Sequence, residues 1–150
     1  MSLALPRRYA IDTNLYIDAI RTESGKIALG QFYWAFTPWV HVCSVVAHEL
    51  LAGVRGSPAT KLDESLLAPF ERRGRVFAPS ASAWKEAGRV LGELVVPSAW
   101  KSVSRGFVND VLLAMACRET GTVLVTSNAR DFALIAKVRA FDFVTDWPRR

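Results

Sequence analysis

The chain has 150 residues, 51% of them hydrophobic and 22% charged, and carries a formal net charge of +5. This length and apolar content suit a single domain over residues 1–150 and exclude a disordered chain. The basic charge favours a polyanionic partner, nucleic acid above all, although an acidic protein partner also fits.

The hydrophobic pattern alternates between strands and helices along the whole chain. In order, the predicted elements are a strand at 8–12, a helix at about 14–35, a strand at 40–44, a helix ending at Gly53 or Gly56, a helix at 59–73, a short strand at 76–78, a helix at 80–95, a helix at about 104–119, a strand at 122–126, a helix at about 129–138 and a short strand near 142–144. This alternation predicts an α/β fold, with a central parallel sheet of four to five strands and helices on both faces. Right-handed crossovers then place all carboxyl strand ends at one edge, where ligands bind.

Four acidic residues lie beside strand ends or on helix faces. Asp12 follows the first strand, next to Thr13 and Asn14, which are both good helix N-caps. Glu49 flanks an apolar helical stripe, and Asp110 interrupts a nearly unbroken apolar run. The fourth acid lies just after the strand at 122–126 and is Asp131. Each residue alone has an ordinary explanation as a cap or a solvated acid, but together they predict a carboxylate metal site.

The ligand chemistry of such a site favours Mg²⁺ or Mn²⁺, because oxygen ligands suit these hard cations. His41 and Cys43 alternate on a strand and have no second pair with which to form a zinc site. A bound cation would lower the pKa of a water molecule and neutralise charge on a phosphate, so the site would hydrolyse phosphodiester bonds.

No apolar run approaches the roughly 20 residues that a membrane helix requires, and the segment Met1 to Arg8 lacks a signal-peptide core. We therefore expect no membrane association. Cys43 and Cys117 stand in apolar contexts and are expected to be buried free thiols. These features together predict a cytoplasmic protein.

Four segments resemble the motifs of the PIN-domain family, in particular the VapC-like toxin ribonucleases of VapBC type II toxin–antitoxin pairs. The segments are Tyr9-Ala10-Ile11-Asp12-Thr13-Asn14, Val46-Ala47-His48-Glu49-Leu50-Leu51-Ala52-Gly53, Asn109-Asp110-Val111-Leu112-Leu113-Ala114 and Val125-Thr126-Ser127-Asn128-Ala129-Arg130-Asp131-Phe132. Each motif is weak alone, but their order and separation across nearly the whole chain make the combination fairly specific. His48 and Asn109, which directly precede two of the acids, are not signature residues.

The resemblance implies a role for each matching residue. Asp12, Glu49 and Asp110 would hold a divalent metal, Mg²⁺ or Mn²⁺. Asp131 would be the fourth acidic member, or Asn128 would lie nearer the metal while Asp131 holds its surroundings in place. The candidates to position water or a carboxylate are Thr13, Thr126, Ser127 and Asn128.

Basic and aromatic residues suggest contacts with RNA and with a protein partner. Lys101, Arg105 and Arg130 stand beside the acidic motifs in sequence, where they would attract RNA or be ordinary solvated charges. Trp100 would stack on a base or, as the simpler expectation, pack in the core. Five aromatic residues fall within 31–39, too many for one helix to hide, so we expect an exposed aromatic patch that binds an antitoxin or a second subunit.

Three functions compete at this point. The resemblance favours a metal-dependent endoribonuclease, the toxin of a type II pair, working as a homodimer or in a hetero-oligomer with its antitoxin; a non-toxin RNA-processing nuclease has the same residues. A PIN-like scaffold that binds RNA or protein without cleavage has no need of four carboxylates. A phosphotransferase of the haloacid dehalogenase type would need a second aspartate two residues after Asp12, where this chain has Asn14.

Overall fold

Five short strands form the centre of the molecule, whose computed structural model describes residues 7–149. The strands are β1 Tyr9–Ile11, β2 Val40–Cys43, β3 Val76–Phe77, β4 Val123–Val125 and β5 Phe143–Val144. The α-helices are α1 Thr13–Arg21, α2 Glu23–Phe36, α3 Ser44–Ala52, α4 Ser57–Leu62, α5 Ala68–Arg72, α6 Ala81–Leu94, α7 Arg105–Thr120 and α8 Ala129–Val138. Residues 1–6, where the sequence predicts no signal-peptide core, lie outside the described residues.

All strand pairs are parallel, and the sheet order is β3-β2-β1-β4-β5. The chain moves outward from β1 to β2 and β3, and then crosses back to β4 on the other side of β1. This order creates a switch point between β1 and β4, where Ile11 pairs with Val125. The crevice outside the carboxyl ends of two such strands is the usual ligand site of an open parallel sheet.

Helices cover both faces of this sheet, as the sequence predicts. Helices α1, α2 and α3 form one contacting group, and α6, α7 and α8 form another. Because crossovers are right-handed, helices passed while the chain moves one way across the sheet lie on one face, and helices passed while it moves the other way lie on the opposite face. Within the second group, Arg139 just after α8 forms an ion pair with Glu86 of α6. The expected α/β fold is therefore confirmed. Helices α3 and α7, from the two different groups, also contact one another.

The single helix predicted at 14–35 is wrong, because the chain breaks at Thr22. This residue is extended, with φ −127° and ψ 147°, and its hydroxyl accepts a hydrogen bond from the backbone N–H of Gly25 as the N-cap of α2. A Cβ on Gly25 would lie 2.7 Å from the backbone carbonyl of Asp18. The two helices therefore approach so closely that only glycine fits at this position.

A second region, predicted as one helix at 59–73, contains three helical pieces. Helix α4 continues into a π-helical segment at Asp63–Leu67, which leads directly into α5. Short 3₁₀ helices also form at Thr37–Trp39 and Pro97–Ser102, and the sequence predicts neither of them. The short segment at 97–102 matters for function because it leads into α7.

The aromatic residues of 31–39 are mostly hidden, contrary to the expected exposed patch. Phe32 and Phe36 are buried and stack with a centroid separation of 5.0 Å, and Trp39 packs partly buried against the core. Trp34 alone of this group is largely open to solvent, with 92% of its surface exposed. Trp100 is 45% exposed, so the expected core packing of this side chain is also wrong.

The hydrophobic core surrounds the sheet and extends along α7. Seven consecutive residues of this helix, 111–117, are buried, which explains the nearly unbroken apolar run in the sequence. Cys43 and Cys117 are buried free thiols, as expected, and burial raises the pKa of Cys43 to about 11. Among the residues from 7 to 149, no helix is long and apolar enough to cross a membrane.

Candidate metal centre

Asp12 lies at the switch point of the sheet and is 3% exposed. It is itself the N-cap of α1, with its Oδ1 accepting a hydrogen bond of 2.8 Å from the backbone N–H of Thr13. The expectation of Thr13 or Asn14 as the cap is therefore wrong, because Asp12 still has extended backbone geometry while Thr13 is already helical. The first acid therefore joins the end of β1 to the start of α1.

The loop after β4 reaches across to this carboxylate. Thr126 is completely buried, and its hydroxyl donates a hydrogen bond of 2.7 Å to Oδ2 of Asp12. The same hydroxyl accepts a hydrogen bond of 3.0 Å from the backbone N–H of Asn128. Both oxygens of Asp12 therefore have donors, and the β1 and β4 ends are fixed to one another. Ser127, between these two residues, is exposed.

Burial is nevertheless the dominant influence on Asp12. It raises the pKa of this carboxyl, because removing the carboxylate from water disfavours its charged form. The hydrogen bonds from Thr126 and Thr13 oppose that increase in the pKa, and the nearby charge of Glu49 adds to it. Asp12 is thus a buried acid that gains from any additional positive charge near it.

Glu49 reaches the same place from α3, the helix that follows β2. The hydroxyl of Thr13 donates a hydrogen bond of 2.8 Å to Oε1 of Glu49. Thr13 therefore has two contacts in the cluster, since its backbone N–H binds Asp12 while its side chain binds Glu49. The first and second acids are connected through this one residue.

Asp110 enters the cluster from α7 and is half-buried. Burial, together with the charges of Asp12, Glu49 and Asp131, raises the pKa of Asp110 to about 8. Three carboxyl groups on other segments therefore lie close enough to Asp110 to oppose its ionisation. Electrostatic repulsion of this kind is relieved by a cation.

Asn128 connects the third and fourth acids. As the N-cap of α8, its Oδ1 accepts a hydrogen bond of 3.3 Å from the backbone N–H of Asp131. Its Nδ2 donates to Oδ2 of Asp131 at 3.1 Å and to Oδ2 of Asp110 at 3.5 Å. The amide thus lies between the two carboxylates, and Asp131 contacts Asn128 in two ways. This geometry favours the interpretation in which Asp131 holds the surroundings of the site in place.

The chemistry of these side chains fits a hard divalent cation, since the acidic oxygens come without sulfur or imidazole ligands. Within the part of the chain that the structure describes, however, no three His, Cys, Asp or Glu side chains form a ready-made metal-binding group. The carboxylates repel one another, and separate hydrogen bonds hold Glu49 to Thr13, Asp12 to Thr126 and Asp110 to Asn128. A cation would have to draw the carboxylates closer together.

The three basic residues predicted to contact RNA are all exposed. Lys101 lies in the 3₁₀ helix before α7, Arg105 is the first residue of α7, and Arg130 is the second residue of α8. Asp110 and Asp131 lie in the amino-terminal halves of the same two helices. The basic residues are therefore placed near the helix ends that approach the cluster, with their charges open to solvent.

The fold and the acidic cluster define an α/β domain with a carboxylate site at its strand switch point. The model of the PIN domain family matches residues 9–138, and the chain belongs to this family. A search of curated proteins gave no significant match.

Three solved structures are similar to this chain at low sequence identity. One is DNA-bound VapBC from Salmonella typhimurium, with a TM-score of 0.66, 22% identity, and 95% of this chain and 100% of that chain covered. Another is VapBC2 from Rickettsia felis bound to a DNA fragment from its promoter, with a TM-score of 0.59, 23% identity, and coverage of 91% and 96%. The third is FitAB bound to the IR36 DNA fragment, with a TM-score of 0.65, 13% identity, and coverage of 95% and 97%. At these identities the similarity establishes a shared fold.

Proposed function

We propose that this PIN domain is a metal-dependent endoribonuclease. The observation that supports it most directly is the half-buried carboxyl of Asp110, whose pKa is raised to about 8 by burial and by three other acids. A protein keeps such a costly cluster where charge is needed for chemistry, and perturbed carboxyl groups in a crevice are characteristic of functional sites. Mg²⁺ or Mn²⁺ is the cation that this all-oxygen set suits.

Asp12, Glu49 and Asp110 would hold the cation, and Asn128 and Asp131 would support them. When bound, the cation supplies an activated water and neutralises negative charge on the scissile phosphate. The protein's own contribution is orientation. Thr126 and Thr13 fix the oxygens of the first acids by hydrogen bonds, and the amide of Asn128 fixes those of the others.

RNA would approach this acidic centre through the surrounding positive charge. The chain carries a net charge of +5, and the exposed Lys101, Arg105 and Arg130 stand near the amino ends of α7 and α8. Helix amino ends also present unpaired backbone N–H groups, which favour phosphate. We assign these three residues to contacts with the RNA backbone.

The cellular role that this activity fits best is that of a toxin silenced by an antitoxin. The similar structures named VapBC are toxin–antitoxin complexes, and we extend a partner of that kind to this chain. Trp34 is a candidate for the contact, because it lies seven residues after Ile27 on α2 and both side chains are exposed. The same stripe could join two copies in a homodimer, and the two free thiols fit the reducing cytoplasm.

The test is cleavage of structured and single-stranded RNA by the purified, partner-free protein, followed on a gel in Mg²⁺, Mn²⁺ or EDTA. We expect cutting in either metal and none in EDTA. The Asp12→Asn variant should be inactive, whereas Glu64→Gln, which removes an exposed acid outside the cluster, should cut normally. A well-folded protein that binds RNA but cuts none of these substrates would instead be a binding scaffold.

A further inference from the structure

A cavity lined by the chain neighbours of Glu49 and Asp110 has no part in the role proposed so far. Its volume is about 330 Å³. Its walls include His48 of α3, Trp84 of α6 and Asn109 of α7, and the rest of the lining, from α3, α7 and the segment before α6, is mostly aliphatic. The cavity therefore combines one large aromatic surface with an imidazole and an amide.

This cavity adjoins the proposed reaction centre through the chain itself. His48 directly precedes Glu49, and Asn109 directly precedes Asp110. Successive residues of an α-helix point about 100° apart, so each helix presents the acid on one face and the cavity residue on the adjoining face. Because α3 and α7 contact one another, His48 and Asn109 line the same cavity, next to the two acids.

We propose that this cavity is a nucleobase subsite, which holds a base of the RNA substrate next to the scissile phosphate. The inference rests on the nuclease function proposed above. Trp84 is 59% exposed, so its indole is available to stack on a base. His48 and Asn109 carry hydrogen-bonding groups that can pair with the edge of that base. The two residues that depart from the family motifs thereby acquire a common role.

Several features favour a base over an apolar side chain of a protein partner. An apolar anchor has no use for an imidazole and an amide in the wall of its pocket, and leaving such polar groups without partners would cost binding energy. A base satisfies both, since it has a flat face for Trp84 and polar edges for His48 and Asn109. The position also fits, because a base enters together with the phosphate that the adjacent acids would process.

The proposal predicts base selectivity that depends on Trp84. The probes are four fluorescently labelled decanucleotide RNAs, each containing only A, C, G or U, and binding is followed by anisotropy in EDTA, where no cleavage is expected. The unmodified protein should bind one decamer at least about fivefold more tightly than the weakest, and Trp84→Ala should lose roughly five- to hundredfold in affinity for the preferred RNA, the range expected for one base–aromatic stack. Trp84→Phe, which keeps an aromatic face, should retain the preference.

Asn109→Ala should flatten the preference among the four RNAs more than it weakens binding overall, since an amide reads the edge of a base. Equal binding of all four RNAs by the unmodified protein, or a preference that survives in Trp84→Ala, would overturn the subsite. Binding of an antitoxin peptide that is lost in Trp84→Ala, with RNA binding unchanged, would assign the cavity to a protein partner. Binding is measured without metal and so does not depend on cleavage. If the protein binds the RNAs selectively but never cuts RNA, the proposed nuclease function is rejected while the base subsite is retained.

Discussion

Replacing Asp110 by asparagine should stabilise the metal-free protein while removing its proposed activity. The pKa of Asp110 rises from an ordinary 3.8 to about 8, so at neutral pH the folded protein must hold a proton that the unfolded chain releases. Each pKa unit corresponds to about 1.4 kcal/mol, which sets a ceiling of about 4 kcal/mol at neutral pH. Because Asp110 is only half-buried, screening by solvent lowers the expected gain to about 1–2 kcal/mol.

Asparagine preserves the shape of the site, and its carbonyl oxygen can still accept the hydrogen bond from Nδ2 of Asn128. For a protein of this size, the gain corresponds to an increase in Tm of about 2–8 °C. The assay is thermal unfolding of the Asp110→Asn variant and the unmodified protein in EDTA, from pH 4 to pH 8. Glu64→Gln serves as the matched control and should leave the Tm unchanged at every pH.

The sign of the pH dependence follows from the direction of the pKa shift. At pH 4, close to the unfolded pKa of 3.8, the unfolded carboxyl still holds much of its proton, so the two proteins should be almost equally stable. As the pH rises towards 8, the unmodified protein should lose stability relative to Asp110→Asn. Excess Mg²⁺ should then stabilise the unmodified protein more than the variant, because only the former has the full ligand set. An advantage of the variant that is absent, or equal at pH 4 and pH 8, would refute the raised pKa of Asp110.

Three further substitutions test a hydrogen bond at the site, a contact between two helices and an exposed surface. Thr126→Val should lower the free energy of unfolding by about 1–3 kcal/mol in urea titrations, because it leaves a buried oxygen of Asp12 without its donor, and unchanged stability would contradict that hydrogen bond. Gly25→Ala should cost about 1–3 kcal/mol in the same titration, since its Cβ would clash with the backbone of Asp18; a neutral result would mean that α1 and α2 separate easily. Trp34→Ala should leave the Tm unchanged and weaken self-association or antitoxin binding in analytical ultracentrifugation, whereas unchanged assembly would reject this surface.

The parallel α/β architecture could be predicted because it depends on periodicity and on short connections, which the sequence displays directly. The break at Thr22 could not, since the apolar pattern continues through it and the decisive contact, Gly25 against Asp18, is between helices. The exposure of Trp100 was missed for the same reason, because burial depends on which elements surround a side chain.

The candidate site divides in a similar way. The four acids could be selected from the sequence because strand ends and helix faces have readable positions. The sequence leaves the roles of Asn128 and Asp131 open, because the hydrogen bond from Asn128 to Asp110 crosses 18 residues and depends on side-chain geometry. The cavity lined by Trp84 gave no sequence signal, because its walls come from segments that are far apart in the chain.

In the proposed reaction, a cation held by the carboxylates would activate the water that cleaves RNA at this cluster. The most direct measurement is cleavage in ¹⁸O-labelled water with Mg²⁺, followed by mass spectrometry of the product ends. Our account predicts that the label enters the terminal phosphate during cleavage, that no cyclic phosphate forms, and that Asp12→Asn yields no product. Unlabelled 2′,3′-cyclic phosphate ends, or products that still form in EDTA, would contradict it.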